Sequence, residues 1–249
     1  MKRFIKFLLA ATFVFLFIRA TCGKPKPTVL TATPALKIKD YVFFHNVSIT
    51  YNGSHYFTIN GGNTDYCRLN EYDEAGNFIE TYDIELDGRA ILYNGNEEEL
   101  YVKNYGTDLY WFDSEMEDVD IELAGIFENE NSSPAISPDG QFIYELVDDE
   151  VRVLEFDSGD EIKTFQLSDY YDEHLYNSAI AASDKYLFVW GAKNEVLVYS
   201  LEGKYINKIE LPWVGYGLSL SYCNGMLWIA EDADASTEGG NGYWYGFKI

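Results

Sequence analysis

Few side chains in this sequence are equipped for chemistry at neutral pH. Its histidines are His45, His55 and His174. His45 and His174 fall in segments that lead into short strands of small residues, whereas His55 follows Asn52-Gly53 and reads as a surface residue. Two histidines from separated segments could share a site, but zinc needs a third protein ligand and no spacing supplies one. Gly-x-Ser-x-Gly and the phosphate-loop patterns do not occur, so no nucleophile is placed beside a base. The reading therefore leans against an enzyme. Carboxylates abound, and Glu128, Glu130, Asp172 and Glu173 fall in lead-in segments where a glycosidase would hold its acid and base. In a chain with 41 acidic residues they read first as solvated surface charge. Asp232-Ala-Asp234-Ala-Ser-Thr-Glu238 runs into Gly-Gly-Asn-Gly242. Oxygen side chains at alternate positions beside flexible glycines could wrap Ca²⁺ through Asp232, Asp234 and Glu238, though the spacing is not that of an EF-hand. No other cofactor is implied.

Aromatic residues make the stronger binding signal. Phe43, Phe44, Tyr170, Tyr171, Trp213 and Tyr216 all lie in lead-in segments, beside His45 and His174. Rings next to carboxylates suit stacking on sugar faces with hydrogen bonds to their hydroxyls. The competing reading packs the same rings between neighbouring sheets.

Those residues need a frame, and the sequence repeats one. Turn markers stand at Asn52-Gly53, Asn94-Gly95, Asp139-Gly140, Ser183-Asp184 and Asn224-Gly225, at intervals of 42, 45, 44 and 41 residues. Asn-Gly and Asp-Gly suit tight hairpins because the central residues take positive φ. A short run of small residues precedes each turn, and an aromatic-bearing run follows it: Tyr56-Phe57, Leu100-Tyr101, Ile143-Tyr144, Leu187-Phe188 and Leu227-Trp228. A third run ends on Tyr72, Phe112, Phe156, Tyr199 or Phe247, and four units close on Leu86, Leu123, Leu167 or Leu211. Four strands every 40–45 residues describe one blade of a β-propeller. The expected fold is all-β, a five-bladed β-propeller of four-stranded antiparallel blades; the alternative is a two-sheet sandwich. The fifth unit stops after three strands at Ile249. Leu36–Lys39 is expected to supply its outer strand, so that an N-terminal strand closes the ring. Cys67 and Cys223 then fall at opposite faces and read as buried, unpaired thiols.

The third unit carries a resemblance. Ala135-Ile-Ser-Pro-Asp-Gly-Gln-Phe-Ile-Tyr144, Val151-Arg-Val-Leu-Glu-Phe156 and Ile162-Lys-Thr-Phe-Gln-Leu167 together resemble a repeat of the YVTN/quinoprotein-like propellers. The resemblance implies a fold and no particular activity, since such propellers include sensors, binding modules and enzymes. No Trp-Asp pair closes a blade, which separates the chain from WD40 repeats.

Charge divides the chain. Of 18 basic residues eight lie within 1–39, a stretch with no Asp or Glu, so residues 40–249 hold ten basic and all 41 acidic side chains, net −31. Such a body repels phosphate backbones, which excludes nucleic acid as a partner. Met1-Lys-Arg-Phe-Ile-Lys6, the uncharged run Phe7 to Ile18, and Ala20-Thr-Cys-Gly23 have the layout of an export signal. Cys22 after small residues fits a bacterial lipobox, although Arg19 replaces the usual aliphatic residue. Residues 1–22 are thus read as an export signal, 23–35 as a Pro/Thr-rich tether and 36–249 as one propeller domain. The expected protein is an exported, monomeric, acidic binding or scaffold propeller at the cell surface or in the periplasm. It would touch a membrane only through lipid on Cys22 and meet an extracellular protein or glycan. The alternative is a carbohydrate-active, glycosidase-like enzyme or lectin.

Overall fold

The computed structural model describes residues 28–29, 33–41, 45–62, 64–112, 116, 119–172, 178–231 and 241–249. Two N-terminal strands come first, β1 (Thr28–Val29) and β2 (Leu36–Tyr41). Blade 1 holds β3 (His45–Tyr51), β4 (Tyr56–Gly61), β5 (Arg68–Tyr72) and β6 (Phe78–Asp83), with a 3₁₀ turn at Thr64–Tyr66. Blade 2 holds β7 (Gly88–Asn94), β8 (Glu99–Asn104), β9 (Leu109–Phe112) and β10 (Val119–Leu123). A short β11 (Ser132–Ser133) precedes blade 3, which holds β12 (Ala135–Ile136), β13 (Phe142–Val147), β14 (Glu150–Glu155) and β15 (Glu161–Gln166). Blade 4 is built from β16 (Ser178–Ala182), β17 (Tyr186–Trp190), β18 (Glu195–Ser200) and β19 (Tyr205–Glu210). Blade 5 supplies β20 (Leu220–Cys223), β21 (Met226–Glu231) and β22 (Asn241–Phe247).

The fourth strand of blade 5 is β2. It pairs antiparallel with β22 from Leu36 opposite Gly246 to Tyr41 opposite Asn241. Five blades of four antiparallel strands therefore make a ring closed by the N-terminal strand, as the repeat arithmetic requires. The closure also covers what would be an open sheet edge.

Turn chemistry accounts for the hairpins. Asn224 (φ 48°) and Gly225 (φ 67°) form a two-residue loop between the paired Cys223 and Met226. At Asn94-Gly95 a longer loop forms instead, with the positive φ at Glu98 (61°) and Asn94 paired to Glu99.

Two short parallel pieces lie outside the repeat pattern. Thr28 and Val29, within the stretch read as tether, add to the outer edge of blade 4 opposite Ile209 and Glu210. Ser132 and Ser133 pair with the innermost strand of blade 4, and the chain then returns to blade 3 at Ala135. Pro134 sits at that switch, where its missing N–H costs neither ladder a bond.

Packing between blades makes the core. Five apolar clusters fill the five seams, and the largest of their fully buried side chains are Trp190, Trp228, Trp244, Tyr56, Tyr72 and Tyr199. The aromatics that end the third strands, Tyr72, Phe112, Phe156, Tyr199 and Phe247, are all buried there. Small and polar innermost residues then crowd the axis. Ser48, Ile91, Ala181 and Ser221 border a void of only about 30 Å³, space for one or two waters. Ser48 and Ser221 lie 3.3 Å apart across the blade 1–blade 5 seam, and Ser221 also accepts from the Ile49 N–H at 3.2 Å. Among the described residues this level of the axis has no room for a ligand.

Candidate functional site

The described parts of the lead-in segments lie on one face of the ring. His45, at the start of β3, stacks on Tyr216 from the loop before β20, with centroids 4.7 Å apart and planes at 13°. Both rings are half-buried. The Tyr216 backbone is held from below: its N–H donates to the Ala230 carbonyl at 3.2 Å and its carbonyl accepts from Ser219 Oγ at 2.7 Å. Ser219 Oγ in turn accepts from the Ala230 N–H at 3.0 Å. Two residues distant in sequence thus form one small aromatic platform.

The other candidate rings are placed differently. Trp213 packs on Tyr245 and Phe247, with centroids 4.8 and 5.7 Å away, against the blade 4–blade 5 core. Tyr170 packs against the blade 3–blade 4 core, and burial pushes its hydroxyl pKa up. Tyr171 is exposed, and its hydroxyl donates to Glu195, which also takes Lys208 Nζ. Burial and that carboxylate push the Tyr171 hydroxyl up to about 12. Phe43, Phe44, Glu173, His174, Asp232, Asp234 and Glu238 lie outside the described residues, as does Cys22. Among the described residues no three His, Cys, Asp or Glu side chains are grouped to hold a metal ion. His55 meets Glu71 at 2.5 Å. Cys67 is a buried free thiol that donates to the Asn60 carbonyl, and burial pushes its pKa up to about 12. Such a thiol is a poor nucleophile. Glu128 and Glu130 are exposed, and Asp172 is half-buried.

Two polar nodes beneath this face escape sequence reasoning. The first is Asp40, fully buried on β2. Its Oδ1 accepts from Tyr72 OH (2.6 Å), Asn70 Nδ2 (2.8 Å) and Thr58 Oγ1 (3.0 Å). Its Oδ2 accepts from Asn46 Nδ2 (2.7 Å) and Trp244 Nε1 (2.9 Å). Four donors belong to blade 1 and one to blade 5, so the carboxylate joins the closing seam. A Cβ on Gly242 would lie 1.7 Å from Asn46 Oδ1, so the closure also requires glycine there.

The second node lies in the blade 2–blade 3 seam. Glu145, fully buried, accepts from Arg152 Nη1 at 2.5 Å, from the backbone N–H groups of Glu128 and Asn129, and from Ser132 Oγ. Lys103 from blade 2 is also fully buried and donates from Nζ to the Glu130 carbonyl at 2.6 Å, 5.7 Å from the centre of the Phe127 ring. The lead-in loop of blade 3 is thus held from both sides. Each buried carboxylate is occupied by protein donors, which makes it part of the frame.

Burial pushes the Lys103 ammonium down from 10.5 to about 7, against the pull of Glu145. Between these values the unfolded chain carries a proton that the folded chain lacks. Stability therefore rises with pH across pH 7–10, and below pH 7 the folded state bears a buried charge. Lys103→Met should gain most over the wild type at pH 6 and lose that advantage toward pH 9. Urea melts at pH 6, 7.5 and 9 measure this, and parallel pH profiles for the two proteins contradict it.

The chain matches no family model, and no curated protein matches it in sequence. Many solved structures do match. Glutaminyl cyclase from Myxococcus xanthus is 10% identical with a TM-score of 0.60, covering 89% of this chain and 97% of that one. BamB from Moraxella catarrhalis is 13% identical with a TM-score of 0.40, covering 80% of this chain. This chain spans 59% of the length of that BamB chain. The likeness is one of fold. It assigns no activity.

Proposed function

We propose that the chain is an exported, non-catalytic binding or scaffold propeller whose lead-in face meets a protein or glycan outside the cytoplasm. The observation that carries this reading is the His45–Tyr216 stack, set on the seam that Asp40 joins. A half-buried aromatic pair on a rigid base is suited to contact a sugar ring or an apolar side chain. The basic start, the uncharged run Phe7 to Ile18 and Cys22 support export, with lipid on Cys22 as the anchor. The net −31 body would be held off an anionic membrane surface by repulsion.

The experiment takes the full chain through a glycan array and a pull-down from cell-envelope extract, with a reducing-sugar assay alongside. His45→Ala and Tyr216→Ala should each weaken the captured ligand about tenfold, the loss of roughly 1.4 kcal/mol at a contact residue. Their melting temperatures should stay near that of the wild type. Sugar release by the wild type, or undiminished binding by both variants, would overturn the reading. Fatty-acid labelling of the wild type but not of Cys22→Ser tests the anchor.

A further inference from the structure

On the opposite face of the ring, a cavity of about 400 Å³ opens between blades 4 and 5. That volume falls within the roughly 300–1,000 Å³ typical of small-molecule sites. Phe188 of blade 4 and Tyr222 of blade 5 stack at 5.8 Å with planes 13° apart; Phe188 is buried in the core beneath, and Tyr222 is half-buried in the lining. Val198, Ile206 and Ile209 extend the apolar lining.

Two cations stand at the lip, Lys185 from the β16–β17 turn and Lys248 from the end of blade 5. Residues 40–249 carry only ten basic side chains against 41 acidic ones, and two of those ten line this cavity. Asp184 is the acidic side chain in the lining. It lies 3.6 Å from Lys185, with both side chains about 70% exposed, a pairing that solvent weakens. A cationic amphiphile would be drawn to the acidic surface in general, whereas an anion needs a local cationic lip. We propose that this cavity binds a monomeric amphiphilic carboxylate, with its apolar body against Tyr222 and Ile206 and its head between Lys185 and Lys248.

Titration calorimetry on the full chain tests this with decanoate below its micelle concentration, decanol, and decyltrimethylammonium at matched ionic strength. Co-sedimentation with phosphatidylglycerol vesicles separates a free carboxylate from a bilayer surface. Decanoate should bind saturably at one site, at least about tenfold tighter than decanol. The Lys185→Glu/Lys248→Glu double variant should lose about tenfold or more, and both positions are exposed enough to leave folding intact. Ile206→Trp, which adds bulk to the lining, should weaken decanoate without altering the melting temperature. Equal binding of decanoate and decanol, displacement of decanoate by the cationic amphiphile at equal concentration, unchanged affinity in the double variant, or binding to vesicles alone would each overturn the assignment. The lead-in face is untouched by these variants, so failure here leaves the proposed function standing.

Discussion

Asp40→Ala should lower the melting temperature by about 10 °C. The substitution strands five buried donors, from Asn46, Thr58, Asn70, Tyr72 and Trp244, in a seam that water does not reach. An orphaned buried donor costs about 1–3 kcal/mol, so five that partly re-pair with one another cost about 3–5 kcal/mol in total. At about 2–4 °C per kcal/mol for a chain of this size, that gives a shift near 10 °C. Asp40→Asn should not rescue it. One oxygen would become an NH₂ group facing either Asn46 Nδ2 and Trp244 Nε1 or the Tyr72 side of the node. Asp83→Ala is the control, because its carboxylate pairs with Arg68 at 77% exposure and surface pairs contribute about 0–1 kcal/mol. A change below about 2 °C for Asp40→Ala would mean that the node is dispensable. Calorimetric scans of the three variants decide it.

Glu145→Ala should cost a comparable amount, about 3–5 kcal/mol, by a different route. Arg152 would keep Glu161 at 2.7 Å and the exposed Glu128 at 3.6 Å, but would lose its buried partner. The N–H groups of Glu128 and Asn129 and the Ser132 hydroxyl would lose their acceptor together. Lys103 would also lose the charge that most favours its ammonium form. The damage should appear locally first, as cleavage between residues 126 and 133 in limited proteolysis before the rest of the ring opens. Glu145→Gln should be milder, because it keeps one acceptor and the side-chain shape. Uniform proteolysis, or a loss below about 1 kcal/mol, would show that the loop does not depend on this carboxylate.

The frame was legible in the sequence because it rests on local signals. Turn residues at near-constant spacing and alternating apolar runs are read within ten residues of one another, and Leu36–Lys39 could be placed by counting strands. The nodes were not legible. Asp40, Asn46, Thr58, Asn70, Tyr72 and Trp244 are ordinary strand residues, and only the closure brings position 244 against position 40. Lys103 and Glu145 give a faint signal as charges inside apolar second strands, but their partner is a loop that carries no periodicity. β1 and β11 are two residues each, too short for a pattern. Ring burial was equally hidden. Trp213 and Tyr171 look alike as loop aromatics, yet one packs on the blade 5 core and the other reaches solvent. The cavity beside Lys185 and Lys248 arises only where two blades fail to fill their seam.

Amide hydrogen exchange along β2 tests the closure most directly. The β2 amides between Ile38 and Asp40 that turn into the ladder with β22 should exchange as slowly as those of β21, because the closing strand opens only when the ring does. In Asp40→Ala, protection should fall along β2 and β22 first while blades 2 and 3 keep theirs. If the ladder-facing β2 amides of the wild type exchange orders of magnitude faster than those of β21, the strand frays independently and does not latch the ring.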